Sequence, residues 1–575
     1  MSVVLNRNGQ RTTEKIMNCK VAVVQFGIGT NVEENLKTCL RMIDEAGKCA
    51  PNFIVLPEFS NHCAIYESLE YADKVALDLG GEFLREIAAK AIAYNTYIKI
   101  NVTVKKQNDK PTVSNLLYSP DGKLVGRADK QVLMGNENNF CSRAETAGDI
   151  IETEFGKVGM YCCADGLLME TSRLLAIRGA KLLLNSLNSF AEDEASLHIP
   201  VRAAENKVFV AASCKVDYLV PKEIIAGFAA KMKISSEALK GAGESQIVAP
   251  DGTVLAKATR TGEDVVFADI DLSESENEDF LAARKPKIYA PIAEKPVERN
   301  YRPGAKSIMV AVCQSVEAIA ETEAKLIILP ELVGITDYKL QILETKYEAE
   351  ILNLQSDEVV EKSKKIIEKI QTAIGKSDKF VVTSIVEKSE KDLAHVGILI
   401  DKTGMIFKQK QIHRFRRHKW ISDFGKEIKT FDTKFGKIAI IVGEDALFPE
   451  TFRLAAFQNC EIAAIPFQVQ ERWETEFGLP ERAVENRFSL VAATRPNVEL
   501  SEFGNSLIAT IGEDFTLWTE WKNRPFDGNI NFPILHRGNE ITAEIYPSNA
   551  KNRFVSQQTD VVDGRAFWLL KPLME

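Results

Sequence analysis

The sequence predicts a mixed α/β layer fold that occurs twice along one chain. Short apolar runs, typical of buried strands, alternate with segments whose apolar residues recur at helical spacing. Strand, helix and strand in that order favour a right-handed crossover within a layered sheet. The same order of segments then recurs in the second half of the chain, which indicates an internal duplication.

The first unit begins after a polar leader that ends near Asn18. Residues 19–26 (CKVAVVQF) form a strand-like run, a helical segment follows, and the next strand-like run, 53–56, leads into Pro57 and Glu58. A carboxylate just after a strand end lies on the side of a sheet where ligands usually bind. A helical pattern at 80–97 and two strand-like runs joined by the turn SPDGK come next, and Lys130 stands just beyond the second run.

The stretch 156–170 (GKVGMYCCADGLLME) combines a short apolar run with a break at residues 164–166 and a helical segment that begins near Glu170. A cysteine at the end of that run lies where the backbone turns sharply, which can expose a nucleophile beside free backbone N–H groups. The alternative is that Cys162 and Cys163 are both small apolar core residues.

The second unit restates the first with constant offsets. The offset between equivalent residues is 280 for the aspartate (445 − 165), for the arginine after the turn (453 − 173) and for a later asparagine (486 − 206). For the glutamates after the second strand the offset is 331 − 58 = 273. We therefore divide the chain into a leader (1–18), a first domain (19–285), a linker or packed arm rich in proline and charge (286–306) and a second domain (307–575). The end of the second unit is also extended and apolar, which favours packed arms.

Composition excludes several classes of protein. Hydrophobic residues make up 45% of the chain and charged residues 27%, with a net charge of −9, as in soluble globular proteins. No basic stripe predicts nucleic-acid binding, and the short basic segment 413–420 (HRFRRHKW) is typical of a solvated loop. With no apolar segment of membrane-spanning length and no signal-peptide pattern, we expect a cytoplasmic protein without a membrane partner. Ten cysteines without a CxxC pair predict reduced thiols, no metal site and no cofactor.

Three motifs together resemble the nitrilase superfamily of carbon–nitrogen hydrolases. They are Pro-Glu-Phe after a strand, a lysine beyond a hairpin, and GKVGxxxCxDxxxxE. The resemblance implies a four-layer α-β-β-α sandwich for each unit, pairing of such units through helices, and a Glu-Lys-Cys triad. Carried over by motif, the triad is Glu58, Lys130 and Cys163, because the family nucleophile stands two residues before the aspartate. A second family glutamate falls on Glu137, for which an exposed loop carboxylate is the alternative.

The triad also makes chemical sense by itself. A free thiol is mostly protonated at neutral pH, so it needs a base or a cation nearby, and Glu58 and Lys130 can supply both. Lys130 and the backbone N–H of Ala164 would then hold the oxyanion. We expect a cysteine amidohydrolase that releases ammonia from a small amide or N-carbamoyl compound. Nitrile hydrolysis is the alternative enzyme activity, and a non-catalytic scaffold protein is the alternative of another class.

The second unit departs from the family at the chemistry itself. Gly443 falls in the nucleophile position and Gln411, or by a one-residue shift Lys410, in the lysine position, while Glu331 remains. Without a thiol there is no thioester route, so we predict an inactive domain that pairs with the first within one chain, as a second subunit does in simpler relatives. Further association into a homo-oligomer stays open.

Substrate contacts are predicted from the segment after residue 184. Asn185, Asn188, His198 and Arg202 are polar candidates for the pocket, each with a structural hydrogen bond as the alternative. Arg202 and Glu205 recur as Arg482 and Glu485 in the second unit, which favours a structural role for both. His198 aligns with Gly478, which leaves it the better pocket candidate.

Overall fold

A computed structural model describes residues 2–5, 11–14, 18–232, 234–335, 356–390, 392–512, 532–556 and 558–575. The predicted leader therefore lies partly outside the described residues, and its described parts, Ser2–Leu5 and Arg11–Glu14, pair as antiparallel strands. None of the described helices is long and apolar enough to cross a membrane.

The first domain contains two six-stranded mixed sheets. In spatial order the first sheet consists of Asp264–Asp271, Asn18–Gln25, Phe53–Val55, Tyr97–Val104, Thr112–Tyr118 and Leu124–Asp129. The second sheet consists of Val254–Lys257, Gln246–Val248, Phe209–Cys214, Leu182–Leu187, Lys157–Cys162 and Ile151–Glu152. The central strands of each sheet are parallel, as the alternation of strands and helices predicts.

The second domain repeats this arrangement. Its first sheet consists of Gly404–Lys410, Asp392–Asp401, Phe380–Ser389, Leu326–Ile328, Ile308–Val312 and Ile541–Ile545. Its second sheet consists of Thr430–Thr433, Gly436–Ile440, Ile462–Pro466, Ser489–Ala493, Ser506–Thr510 and Ile534–Gly538. A further short pair near the chain end consists of Phe554–Ser556 and Thr559–Asp560.

Helices cover both outer faces of each sheet pair. The α-helices of the first domain are Val32–Gly47, Leu69–Val75, Glu82–Tyr94, Glu137–Phe140, Met169–Ile177, Ile199–Ala204, Lys222–Met232 and Glu278–Ala282. Among the described residues of the second, the α-helices are Ala318–Glu321, Ser356–Ile374, Pro449–Phe457 and Leu479–Asn486. The first long helix starts where the Asn31 side chain accepts from the N–H groups of Glu33 and Glu34, a common N-cap.

Alternating apolar residues of the two sheets form one core inside each domain, including Val23 and Leu184 in the first and Val310 and Ile440 in the second. Outer helices pack on the first sheet of each domain, whereas the inner helices of the second sheets pack against each other across the domain contact. The predicted class, two tandem four-layer α-β-β-α sandwiches, is confirmed.

Ion pairs at the domain contact repeat with the offset of the duplication. Arg453 Nε lies 2.7 Å from Glu170 Oε1, and the reciprocal pair, Arg173 Nε and Glu450 Oε1, is separated by 3.3 Å. All four side chains are buried, and each pair joins equivalent positions of the two domains (450 − 170 = 453 − 173 = 280). The domains therefore contact each other as two identical subunits would across a twofold axis.

Extended arms cross this contact in both directions. The segment after the first domain forms the 3₁₀ helix Pro286–Ala293, whose Tyr289 is fully buried and bonded to His413 of the second domain. The end of the second domain returns to the first, where Arg143 donates to the Gly564 carbonyl and Trp568 Nε1 donates to the Ala144 carbonyl at 3.1 Å. Each domain thus covers a loop of the other.

Candidate active site

The strand Phe53–Val55 delivers Glu58 into the interior of the first domain. Phe59 follows with a left-handed φ of 52° and donates its N–H to Asn101 Oδ1 at 3.0 Å, which holds this tight turn. Glu58 is fully buried, and its Oε1 accepts a hydrogen bond from Lys130 Nζ at 2.7 Å. Its Oε2 is buried without a hydrogen-bond partner among the described residues. A buried carboxylate oxygen without a hydrogen-bond donor lowers the stability of the fold, so its presence calls for a functional explanation.

Lys130 lies between two carboxylates. The residue follows the strand Leu124–Asp129, and its Nζ also donates to Glu137 Oε1 at 2.8 Å. Burial alone would lower the Lys130 pKa, but Glu137 and Glu58 outweigh it and raise that pKa well above its usual range. Lys130 therefore stays an ammonium between two carboxyl groups. Glu137 is held in turn by the Met134 N–H, 2.8 Å from its Oε2.

The strand Lys157–Cys162 ends in the sharp turn that the sequence predicts. Cys163 has a φ of 47°, an unusual value for a residue with a side chain, and its N–H donates to Asn185 Oδ1 at 3.2 Å. Cys162 is completely buried, whereas Cys163 retains 7% exposure. Burial first and then Glu58 raise the Cys163 pKa well above the usual value, while Lys130 lowers it. The resting group is thus a thiol with Glu58 and Lys130 close to it.

Asp165 joins the lysine loop to the cysteine turn. Its Oδ1 accepts from the N–H groups of Gln131 at 2.9 Å and Val132 at 2.8 Å, directly after Lys130. Burial raises the Asp165 pKa to about 7. The aspartate between Cys163 and the helix therefore sets the position of Lys130 relative to the thiol.

The predicted pocket residues separate into three cases. Asn185 holds the Cys163 backbone, as described above. Asn188 is half-buried, and its Oδ1 is a buried acceptor without a hydrogen-bond partner among the described residues. His198 is placed differently from the expectation: its Nδ1 lies 2.8 Å from Glu481 Oε2 of the second domain and its Nε2 lies 3.5 Å from Asp193 Oδ2. Both ring nitrogens face carboxylates at the domain contact, so the structure does not support a pocket role for His198.

Glu194 was not singled out from the sequence but lies in the same region. It begins the π-helix Glu194–His198, a rare element that often marks functional sites. Glu194 is buried and adds to the negative field that raises the Cys163 pKa. Burial raises the pKa of Glu194 itself to about 7, against the opposing effect of His198. Glu194 is one of three acidic residues in a polar loop (AEDEAS), and nothing in the sequence distinguishes it from the other two.

The corresponding site of the second domain is filled by side chains. The N–H groups of Ile412 and His413 donate to Asp445 at 3.0 and 2.8 Å, in the same way as those of Gln131 and Val132 to Asp165. This correspondence places Gln411, not Lys410, in the lysine position, and Lys410 instead pairs with Asp423 at 2.5 Å. A Cβ on Gly443 would come within 2.5 Å of Gln411 Oε1, so no larger residue fits the nucleophile position without a shift.

The second domain reaches the first site through Thr559. Its hydroxyl donates to the Leu133 carbonyl at 2.8 Å and accepts from the Gly135 N–H at 2.9 Å, inside the loop that connects Lys130 to Glu137. We expect Thr559→Val, which removes both bonds without changing the side-chain shape, to lower kcat/KM about tenfold because Glu137 is less well held. Steady-state kinetics measure this effect. Thr433→Val is the control, since it removes a hydroxyl-to-carbonyl bond of the second domain; an equal loss in both variants would contradict a positioning role.

His198 also makes the stability of the domain contact pH-dependent. Burial opposes its protonation, but Glu481 and Asp193 outweigh it and hold the pKa well above 6.5. Because the folded-state pKa is raised, this stabilisation is fully present below about pH 6.5 and is lost as pH rises through the folded value, at up to about 1.4 kcal/mol per pH unit. We expect His198→Gln to flatten the fall of Tm above pH 6.5; parallel Tm curves for variant and wild type would contradict this. Besides the two carboxylates, Glu194 and Arg202 contribute to the charge around the ring.

Comparisons with known proteins identify the family of this chain. A family model described as carbon-nitrogen hydrolase matches residues 20–277 and 301–513. A nitrilase of Pyrococcus abyssi is 28% identical over 44% of this chain and 90% of the relative. A citrullinase of Francisella tularensis is 24% identical over 48% of this chain and 99% of the relative. An omega-amidase of Bos taurus is 26% identical over 44% of this chain and 89% of the relative. Among solved structures, an amidase of Nesterenkonia sp. is similar with a TM-score of 0.37 and 15% identity, covering 44% of this chain and 92% of that one.

Proposed function

The chain belongs to the carbon–nitrogen hydrolase family, and we propose that its first domain hydrolyses a small amide or N-carbamoyl compound through a thioester on Cys163. One observation carries this proposal: the buried Glu58 shares Lys130 with Glu137 and keeps its Oε2 without a hydrogen-bond partner among the described residues. That oxygen is the base that a thiol of raised pKa requires, because such a thiol does not rest as thiolate.

In the first half of the reaction Glu58 Oε2 accepts the Cys163 proton as Sγ attacks the carbonyl carbon. The oxyanion forms beside the Lys130 ammonium and the Ala164 N–H, which follows Cys163 in the 3₁₀ turn Cys163–Gly166. The protonated Glu58 returns the proton to the leaving nitrogen, and ammonia departs. Glu137 keeps Lys130 charged and in place throughout, since it holds the ammonium from the other side.

In the second half water replaces ammonia. Glu58 removes a proton from the water, hydroxide attacks the thioester carbonyl, and the thiolate leaves and regains the proton from Glu58. The net reaction adds one water to the amide and yields a carboxylic acid and ammonia. With an N-carbamoyl substrate Sγ attacks the ureido carbon and ammonia leaves. Water then releases an N-substituted carbamic acid, which decomposes to CO2 and the free amine.

The similar proteins favour the amide and N-carbamoyl classes. They include a citrullinase and several omega-amidases, although others are called nitrilase. We therefore keep nitrile hydrolysis as the second candidate. In the second domain, which has Gly443 in place of a thiol, the same steps have no nucleophile, so we assign it a supporting role.

The test is a substrate panel with ammonia detection. The full chain is incubated with small dicarboxylic monoamides, N-carbamoyl amino acids and nitriles, and the acid or amine product is identified by mass spectrometry. Ammonia from an amide or ureido compound supports the proposal, and preference for a nitrile supports the second candidate. Absence of ammonia from every member of the panel counts against both and favours the scaffold alternative.

A further inference from the structure

The second domain has lost the lysine and the cysteine of the triad and has gained two imidazoles beside the glutamate that it keeps. The correspondence through Asp165 and Asp445 gives an offset of 281 in this loop, so Lys130 matches Gln411 and Glu137 matches His418 (411 − 130 = 418 − 137 = 281). Glu331 keeps the position of Glu58. The ammonium of Lys130, which repels cations, is therefore replaced by the neutral amide of Gln411. The carboxylate of Glu137 is replaced by the imidazole of His418.

A third side chain, His395, completes this cluster from the neighbouring strand. The Gln411 N–H donates to the His395 carbonyl at 2.9 Å, where the Lys130 N–H donates to Val113 in the first domain, so His395 stands where the first domain has valine. Strand Asp392–Asp401 thus brings a second imidazole to the site, and the two histidine rings lie 4.6 Å apart between their centroids.

We propose that the second domain binds one divalent transition-metal ion of the zinc type through Glu331, His395 and His418. The ligand atoms of the three side chains all lie within 4.8 Å of one another, and all three are fully buried. His418 Nε2 and Glu331 Oε1 are 3.3 Å apart. Among the described residues, no other group of three histidine, cysteine, aspartate or glutamate side chains converges this closely. Two imidazoles and one carboxylate are a common ligand set for zinc and its neighbours.

The surroundings of His395 supply the outer hydrogen bonds that metal ligands need. Its Nε2 lies 2.7 Å from Ser384 Oγ and its Nδ1 lies 2.6 Å from Gln411 Oε1. In the structure Nδ1–H donates to Gln411 Oε1, because an amide oxygen can only accept. When the ring proton moves to Nε2 and Ser384 accepts it, Nδ1 offers its lone pair to the ion, and the Gln411 oxygen is close enough to be a further metal ligand. The ring proton moves between its two nitrogens, so binding by this histidine requires no net loss of a proton.

One neighbour opposes a cation. Arg417 Nη1 lies 3.9 Å from Glu331 Oε1 and donates to the Gln468 carbonyl. Its positive charge lowers the affinity of the cluster for metal, so the test adds the ion in excess and then removes what is loosely held. The sequence predicted no metal here because the three ligands come from distant segments without a CxxC or HxxxH-type signature.

The test uses the full chain, stripped with a chelator, loaded with Co²⁺ and desalted. We expect about one cobalt per chain by elemental analysis, visible d–d absorption without sulfur-to-cobalt charge-transfer bands, and a higher Tm than that of the stripped protein. His418→Gln should lose the bound cobalt and the Tm shift, whereas His536→Gln, which removes an exposed imidazole elsewhere, should keep both.

Two results would overturn the proposal. Desalted wild-type protein without cobalt shows that the cluster is only a hydrogen-bond network, and this result does not depend on how any variant folds. Sulfur-to-cobalt bands place the ion on a cysteine instead. Neither measurement involves hydrolysis, so the outcome is independent of the function proposed for the first domain.

Discussion

Replacing Cys163 with alanine should lower kcat/KM by a factor on the order of 10⁴ or more, because the sulfur that forms the proposed thioester is removed. The rate of ammonia release from the best substrate of the panel measures this loss. Circular dichroism should show an unchanged fold, since alanine has the same Cβ as cysteine at this positive φ and the change removes a single sulfur atom. The remaining rate reports what Lys130 and the backbone N–H groups contribute without covalent chemistry.

Cys162→Ala is the matched control. Cys162 packs with Phe59 and Val113 in a small core cluster, so its loss should cost about 1 kcal/mol of stability and leave most of the turnover. The opposite pattern, with ammonia release that survives in Cys163→Ala but not in Cys162→Ala, would show that the other sulfur is the nucleophile.

The second large effect is expected at the domain contact. Arg202 is fully buried; its Nη2 donates to Glu481 at 2.6 Å and Glu485 at 2.8 Å, and its Nε donates to the Gly166 carbonyl at 2.8 Å in the turn after Cys163. Arg202→Met removes one cation from a buried network whose carboxylates then keep His198 and Arg482 as partners, and breaking a buried network of this kind typically costs about 3–5 kcal/mol. We expect a marked fall in Tm, and a fall in turnover as well, because the cysteine turn loses one of its supports.

Arg472→Met provides the comparison. Arg472 pairs with Glu476 on the surface, with 62% of its side chain exposed, so its loss should cost no more than about 0.5 kcal/mol. The Tm values of Arg202→Met and Arg472→Met, measured by thermal unfolding, test this difference. If the two Tm values were equal, the buried network would not be what holds the domains together.

Much of the fold and the centre of the site follow from local sequence patterns. Apolar periodicity places the strand before Cys163, and the repeat offset identifies the duplication, because both depend only on residues near one another in the chain. Glu58, Lys130 and Glu137 come together in the structure as motif order implies. Their assignment as catalytic groups remains a prediction until the variants are measured.

The remaining features depend on contacts between the domains. The comparison of equivalent positions set His198 against Gly478, but the residue that engages His198 is Glu481, which replaces Val201 of the first domain. The first domain supplies the imidazole and the second domain supplies the carboxylate. Neither substitution, taken alone, indicates that the two side chains form a pair. Thr559 lies 424 residues from Gly135, a separation at which no periodicity or motif points to a contact.

The central claim, a thioester on Cys163, is tested most directly by trapping it. The full chain is quenched in acid while it turns over the best substrate, and proteolytic peptides are analysed by mass spectrometry. We predict an acyl adduct on the peptide that contains Cys163, with fragment ions that assign it to that sulfur, and its absence from Cys163→Ala. An adduct on Cys162, or turnover without any acyl-enzyme under conditions that slow its hydrolysis, would contradict the account.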